Sequence, residues 1–233
     1  INLTNGSLTQ DLLVEPDPKF TNFPTGFKIL LDCKADWDNL AKAYFAVFDR
    51  KLQASGPNSG YRSLSSQVAT SATAGFTVNA AGRKVKAAAT PGAGKPPGHG
   101  FGTAVDINRK TQPGDAAVAS KMPSLKEKQS RLAAAGVTRS LTYIWLFENG
   151  AKYNWVNPNW AQKPEASNVL GRPCQGKCGS KIEPWHWQWE GWTKVWSNTT
   201  KVKKPTPGFE EFGESQLEPE LDEFGESPIE PVT

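Results

Sequence analysis

Glu183-Pro184-Trp185-His186-Trp187-Gln188-Trp189-Glu190 is the stretch that decides the fold. Trp185, Trp187 and Trp189 alternate with His186, Gln188 and Glu190, the two-residue period of a strand with one strongly apolar face. Upstream, Phe101 to Asn108 alternates in the same way, with Ala104, Asp106 and Asn108 on one face and Thr103, Val105 and Ile107 on the other. Helical patterns flank these strands. Asp36 reads as an N-cap, followed at helical spacing by Trp37, Leu40, Ala41, Tyr44, Phe48 and Leu52, and Gly56 to Gly60 breaks the pattern. Ser124-Leu125-Lys126-Glu127 has the form of a capping box opening a helix to Ala135, with Gly136 as its stop. A further helix is expected over Ser140 to Lys152. Residues 1–35 read as an irregular N-terminal segment with one strand, Phe27 to Leu31, and the Ala-, Gly-, Thr-, Pro- and Lys-rich residues 68–97 as a long surface loop. Helices and short strands intersperse without βαβ regularity, so the expected fold class is α+β, a small antiparallel sheet flanked by helices.

The chain has 233 residues, 37% hydrophobic and 21% charged, enough for one large domain with an appendage. No apolar run approaches the roughly 18–20 residues of a membrane span. Its net charge of +4 conceals a split. Residues 1–208 carry 27 basic and 14 acidic side chains, a balance of +13, while residues 209–233 carry nine acidic and no basic ones. Within that tail Glu211-Phe212-Gly213-Glu214-Ser215 recurs as Glu223 to Ser227, and Leu217-Glu218-Pro219 recurs as Ile229 to Pro231. Two readings of the tail stand open: it folds back on its own basic body as a brake, or each repeat docks on a partner protein. The chain starts at Ile1 and its only methionine is Met122, so a processed product or a piece of a longer polypeptide is expected. Cys174 and Cys178, four apart, suit a local disulfide, two free thiols, or half of a four-cysteine metal site that has no second pair.

The chemistry concentrates around the only two histidines. His99 lies in Gly98-His99-Gly100-Phe101-Gly102-Thr103-Ala104-Val105-Asp106, and His186 follows Glu183-Pro184-Trp185. Two histidines and carboxylates are what an open zinc site needs: three protein ligands and a fourth position for water. Bound zinc lowers the pKa of that water to about 7, and a nearby carboxylate can take its proton during attack on a carbonyl. Strand alternation alone would send Glu183 and His186 to opposite faces, so Pro184 must bend the chain for both to converge. His99, Asp106 and His186 are the candidate ligands of one zinc ion, with Glu183 as general base.

His-x-x-Gly-x-Ala-x-Asp followed by Glu-x-Trp-His resembles the D-alanyl-D-alanine carboxypeptidases of the vancomycin-resistance type, grouped with lysostaphin and hedgehog and including phage peptidoglycan peptidases. Gly60-Tyr61-Arg62-Ser63-x-x-x-Gln67 and Trp145-Leu146-x-x-Asn149-x-x-x-Tyr153 are similar to two further segments of that family, in the family's order, over residues 36 to 192. The resemblance implies a zinc peptidase of peptidoglycan stem peptides, either a D,D-carboxypeptidase or an endopeptidase. It implies His99, Asp106 and His186 as ligands, Glu183 as base, and Arg62 as the cation meeting the carbonyl oxygen. Gln67, Ser63 and Trp185 are the expected substrate contacts. Where the family has Ser or Thr two residues before the first histidine, Pro97 stands here, which puts the substrate preference in question. The implied domains are a peptidase domain over 36–200, a basic linker over 201–208 and the acidic tail over 209–233. An anionic cell wall suits the basic body, and no helix-turn-helix, finger or RNP-like motif points to a specific nucleic acid. The expected location is extracellular, periplasmic or virion-associated. The alternative reading is a zinc-binding wall or structural module without turnover.

Overall fold

The computed structural model describes residues 3–86, 90–108, 115–176 and 178–193. The linker and the acidic tail lie outside the described residues. The rest is α+β, with short strands and six helices among the described residues.

Helix α1 (Lys34–Phe48) buries Trp37, Leu40, Ala41, Tyr44 and Phe48, one stripe at three- and four-residue spacing. It starts two residues before Asp36, with Cys33 at the N-cap and no side-chain cap bond. It stops at Asp49, which adopts the left-handed conformation (φ 51°) and donates its N–H to the Phe45 carbonyl. Leu52, expected at the end of this helix, instead belongs to strand β4 (Leu52–Gln53), parallel to β2 (Thr21–Asn22). Asp36 serves a tertiary role: its Oδ2 accepts from Trp189 Nε1 at 2.7 Å and Asn154 Nδ2 at 2.8 Å.

The N-terminal segment is woven into the core. Strands β1 (Leu13–Val14) and β3 (Ile29–Leu30) pair antiparallel, and Leu8, Leu13, Phe27, Ile29, Leu30 and Cys33 join the main apolar cluster. The expected loop over 68–97 is corrected in its first half. Helix α2 (Leu64–Thr73) is capped by Ser63 Oγ, and strands β5 (Phe76–Val78) and β6 (Lys84–Lys86) form an antiparallel hairpin. No residue of α2 is buried, so an apolar stripe was absent from the sequence.

Strands β7 (Ala104–Asp106), β8 (Trp155–Val156) and β9 (His186–Trp189) make the central antiparallel sheet in the order β7-β9-β8. Strands β7 and β9 are shorter than the alternation suggested. Phe101 belongs to a single turn of 3-10 helix, His99–Phe101, and Trp185 precedes β9. Gly102 then takes φ 66°, where a side chain is disfavoured, and a Cβ there would come within 2.7 Å of the Leu30 nitrogen.

Helices α3 (Asp115–Lys121), α4 (Pro123–Ala134), α5 (Leu141–Asn149) and α6 (Pro164–Val169) complete the domain. The capping box at Ser124 is not used: Pro123 takes the first helical position, so Ser124 lies inside the first turn behind an N-cap at Met122. Gly136, at φ 70°, follows the helix end as expected. In α5 every residue from Leu141 to Phe147 is buried, and Ser140 Oγ accepts the Tyr143 N–H at 3.2 Å. This helix ends at Asn149, with a 3-10 turn covering Gly150–Tyr153. Tyr44 and Phe48 of α1 meet Trp145 of α5 edge to face, at centroid distances of 5.6 and 6.1 Å. No described helix is long and apolar enough to cross a membrane.

Candidate metal centre

Strand β9 is buried on both faces. Trp187 and Trp189 face the helices: the Trp187 ring lies 6.0 Å from that of Tyr143, and Trp189 Nε1 reaches Asp36. By alternation His186 and Gln188 face the other way. In the register of β7 and β9, Asp106 stands directly opposite His186 and Ala104 opposite Gln188. Directly opposed residues share a face with Cβ atoms about 4.5–5.5 Å apart, so pairing alone brings the Asp106 carboxylate to the His186 ring. His99 arrives from the 3-10 turn that leads into β7.

The three side chains converge. His99 Nε2 and His186 Nδ1 each lie 3.1 Å from Asp106 Oδ1 and 3.2 Å from one another. Ligands about 2.0–2.1 Å from zinc in a tetrahedron stand roughly 3.3 Å apart, so this triangle fits the ion. The His99 tautomer agrees with ligation. His99 Nδ1 is 2.9 Å from the Gly60 carbonyl, which can only accept, so the proton sits on Nδ1 and the Nε2 lone pair faces the centre. His186 Nε2 is 3.0 Å from the Gln188 side-chain amide. In this structure it is Gln188 Nε2 that faces the ring, 3.5 Å from the Pro97 carbonyl as well, so ligation through His186 Nδ1, which puts the proton on Nε2, requires the amide to turn its oxygen to the ring.

Electrostatics prepare the same set. Burial pushes the His186 pKa down, which favours the neutral ring a metal needs, although Asp106 pulls the other way. Burial alone would raise the Asp106 carboxyl. The charge of His99 and hydrogen bonds from both rings outweigh it and hold the group well below the usual carboxylate range. Glu183, 8% exposed, is raised by burial and by the Asp106 charge against the pull of His186, Lys181 and Arg62.

A cleft of about 370 Å³ opens over the centre. His99, Asp106, His186, Glu183, Arg62, Gln67 and Trp185 all line it. Arg62 binds the second oxygen of Asp106 through Nη2 at 2.5 Å and donates from Nε to the Asn58 carbonyl. In this structure its guanidinium therefore steadies the candidate ligand. Gln67 is a hub: its Nε2 donates to the Arg62 carbonyl and Asn5 Oδ1, and its Oε1 accepts the Gly92 N–H. Ser63 is placed differently, its hydroxyl capping α2 and meeting Ser65 Oγ at 2.9 Å. Cys174 and Cys178 form a disulfide with Cα atoms 5.9 Å apart, which removes both as metal ligands, and Cys33 is a buried free thiol.

Several cleft residues escaped the sequence reading. Trp160 packs its ring 5.0 Å from that of His186, and Asn5 reaches the cleft from the N-terminal segment. Gln188 was legible, because it alternates onto the face of His186. Asn157, beneath the Glu183–His186 turn, stands in an Asn-Pro-Asn stretch with the composition of a loop, which gives no signal of a buried role.

No family model matches the chain, and no curated protein matches it. Among solved structures, a point mutant of the vancomycin-resistance D,D-pentapeptidase VanY from a VanB-type cassette, in complex with Zn(II), is 19% identical with a TM-score of 0.39, over 84% of this chain and 92% of that one. VanYB in complex with D-alanine-D-alanine is 19% identical with a TM-score of 0.38, over 81% and 94%. The LD-carboxypeptidase LdcB is 18% identical with a TM-score of 0.44, over 87% and 86%. Likeness at this level carries no function across.

Proposed function

We propose that this chain is a zinc-dependent peptidase acting on peptidoglycan stem peptides, as a D,D-carboxypeptidase or an endopeptidase, in a secreted or virion-associated setting. The observation that carries the reading is the triangle of His99 Nε2, Asp106 Oδ1 and His186 Nδ1, with Glu183 and Arg62 on the same cleft. The four ordered motifs support the substrate class, and the basic balance of residues 1–208 suits an anionic wall.

Zinc bound to those three atoms would supply a Lewis acid and an acidified water at neutral pH. Glu183, ionised, takes a proton from the attacking water and returns it to the leaving amine nitrogen. Its raised pKa suits both tasks, because the carboxyl then gains and loses a proton closer to neutrality. Arg62 offers fixed positive charge where the carbonyl oxygen becomes anionic. Trp160 and Trp185 wall the cleft beside His186.

Mass spectrometry of purified muropeptides tests the reading with three samples: wild type, Glu183→Ala and chelator-treated protein. The wild type is expected to release a D-alanine or split the stem peptide, and the other two to leave the masses unchanged. A wild type that holds zinc and releases nothing would replace the peptidase with a binding module.

A further inference from the structure

We propose that Asn157 is a positioning residue for the metal centre, acting through the Glu183–His186 turn; this deepens the peptidase reading and rests on it. Asn157 follows β8 and is 3% exposed. Its Nδ2 donates to two backbone carbonyls at once, that of Glu183 at 3.1 Å and that of His186 at 2.7 Å. These are the carbonyls of the candidate base and of a candidate ligand. The amide orientation is determined by its surroundings: both carbonyls can only accept, and the Tyr143 hydroxyl donates to Asn157 Oδ1 at 3.3 Å.

The support runs deeper. Gln162 Nε2 donates to the Asn157 carbonyl at 2.5 Å, and Ser167 Oγ donates to Gln162 Oε1 at 2.6 Å. Gln162 and Ser167 are buried too. A chain of polar groups, each satisfied, thus stands behind the turn, and such networks hold one arrangement when complete. The turn is also tied by the Glu183 N–H to the Ala161 carbonyl at 2.9 Å and by the Ile107 N–H to the Trp185 carbonyl at 2.8 Å; Asn157 adds the hold on the carbonyls at its two ends. The turn's internal tie is the His186 N–H to the Glu183 carbonyl at 3.1 Å, and Pro184 has no N–H to give. Anchoring both carbonyls fixes the backbone at residues 183 and 186, and with it the directions in which the base and the ligand leave the chain.

The residue type matters. One amide nitrogen has two hydrogens and serves two carbonyls. Aspartate would set oxygen against oxygen, and serine can serve only one. Partners that orient a metal ligand from behind typically govern about 10- to 100-fold in metal affinity or activity.

The test compares wild type, Asn157→Asp, Asn157→Ser and Leu132→Ala, the last emptying buried volume in α4 at a residue whose side chain makes no hydrogen bond to the turn. Three readouts are taken: the zinc Kd by competition with a chromophoric chelator, the visible spectrum of the Co²⁺-loaded protein, and kcat and KM on a muropeptide. Both Asn157 variants are expected to weaken zinc binding about 10- to 100-fold, alter the Co²⁺ spectrum and lower kcat more than they raise KM. Leu132→Ala is expected to lower Tm and leave all three readouts as in wild type. Asn157 variants with wild-type zinc affinity and spectrum overturn the proposal, and Asn157→Ser decides alone if Asn157→Asp does not fold. A wild type that binds neither zinc nor cobalt overturns the peptidase reading as well.

Discussion

Gly100→Ala perturbs the wall of the cleft at its tightest point. Gly100 is buried in the His99–Phe101 turn, and its carbonyl accepts the Gly6 N–H at 2.7 Å. A Cβ there would overlap Asn5 Oδ1 outright and approach Gln67 Nε2 to 2.5 Å. Both obstacles are side-chain ends, so the cheapest relief is for Asn5 to swing away. That movement breaks its bond to the Ala93 carbonyl at 2.5 Å and the Gln67-to-Asn5 bond at 2.9 Å. Each is worth about 1 kcal/mol, and the alanine returns about 0.4–1 kcal/mol by stiffening the unfolded chain. The net loss is about 1 kcal/mol, or roughly 2–4 °C in Tm for a domain of this size. Because Gln67 also holds Arg62 and Gly92, KM should rise while zinc stoichiometry is unchanged. Calorimetry in a double-mutant cycle with Asn5→Ala isolates the cause. With Asn5 truncated the overlap at Oδ1 is gone and only the 2.5 Å approach to Gln67 Nε2 remains, so Gly100→Ala should cost clearly less than in the wild-type background. An equal cost in both backgrounds would refute the reasoning.

Glu183→Gln should keep its zinc, since Glu183 is not one of the converging donors, and lose about 10²- to 10⁴-fold in kcat. The sign of the pH effect follows from its raised pKa. The base works ionised, so wild-type kcat/KM should fall as pH drops through a value above the usual carboxylate range, and the glutamine variant should lack that limb; a limb unchanged in Glu183→Gln would assign it to another group. Ser140→Ala removes the side-chain acceptor for the Tyr143 N–H at the start of α5 and should cost about 1 kcal/mol, read as a lower urea midpoint with an unchanged m-value.

What was legible in the sequence tracks apolar burial. Helices α1 and α5 and strand β9 carry Trp37, Tyr44, Trp145, Trp187 and Trp189 at regular spacing, and periodicity finds such elements. Their ends were less legible, because Leu52 continued the pattern of α1 while Asp49 turned the backbone. The candidate metal ligands were legible because chemistry restricts which residues can serve and Pro184 signalled a bend. Helix α2 and the β5–β6 hairpin were hidden for the opposite reason. Leu64 and Val68 on the helix and Phe76 on the hairpin stay exposed, so no amphipathic stripe marks them. Asn157, Gln162 and Ser167 are the hardest case: polar residues in a Pro- and Asn-containing segment look solvated, and only tertiary structure shows them buried and satisfied.

Strand β9 joins the two halves of this logic. A one-residue slip of β9 against β7 would put His186 and Gln188 into the helix packing and a tryptophan into the cleft. The register is therefore held from the side away from the chemistry. Trp187 is 2% exposed beside Tyr143 of α5, and Trp189 hydrogen-bonds Asp36 of α1. Asp36 thus does more than its position in the first turn of α1 suggested. By receiving Trp189 and Asn154, it ties that helix to β9 and to the residue before β8, and so it holds the frame in which Asp106 meets His186.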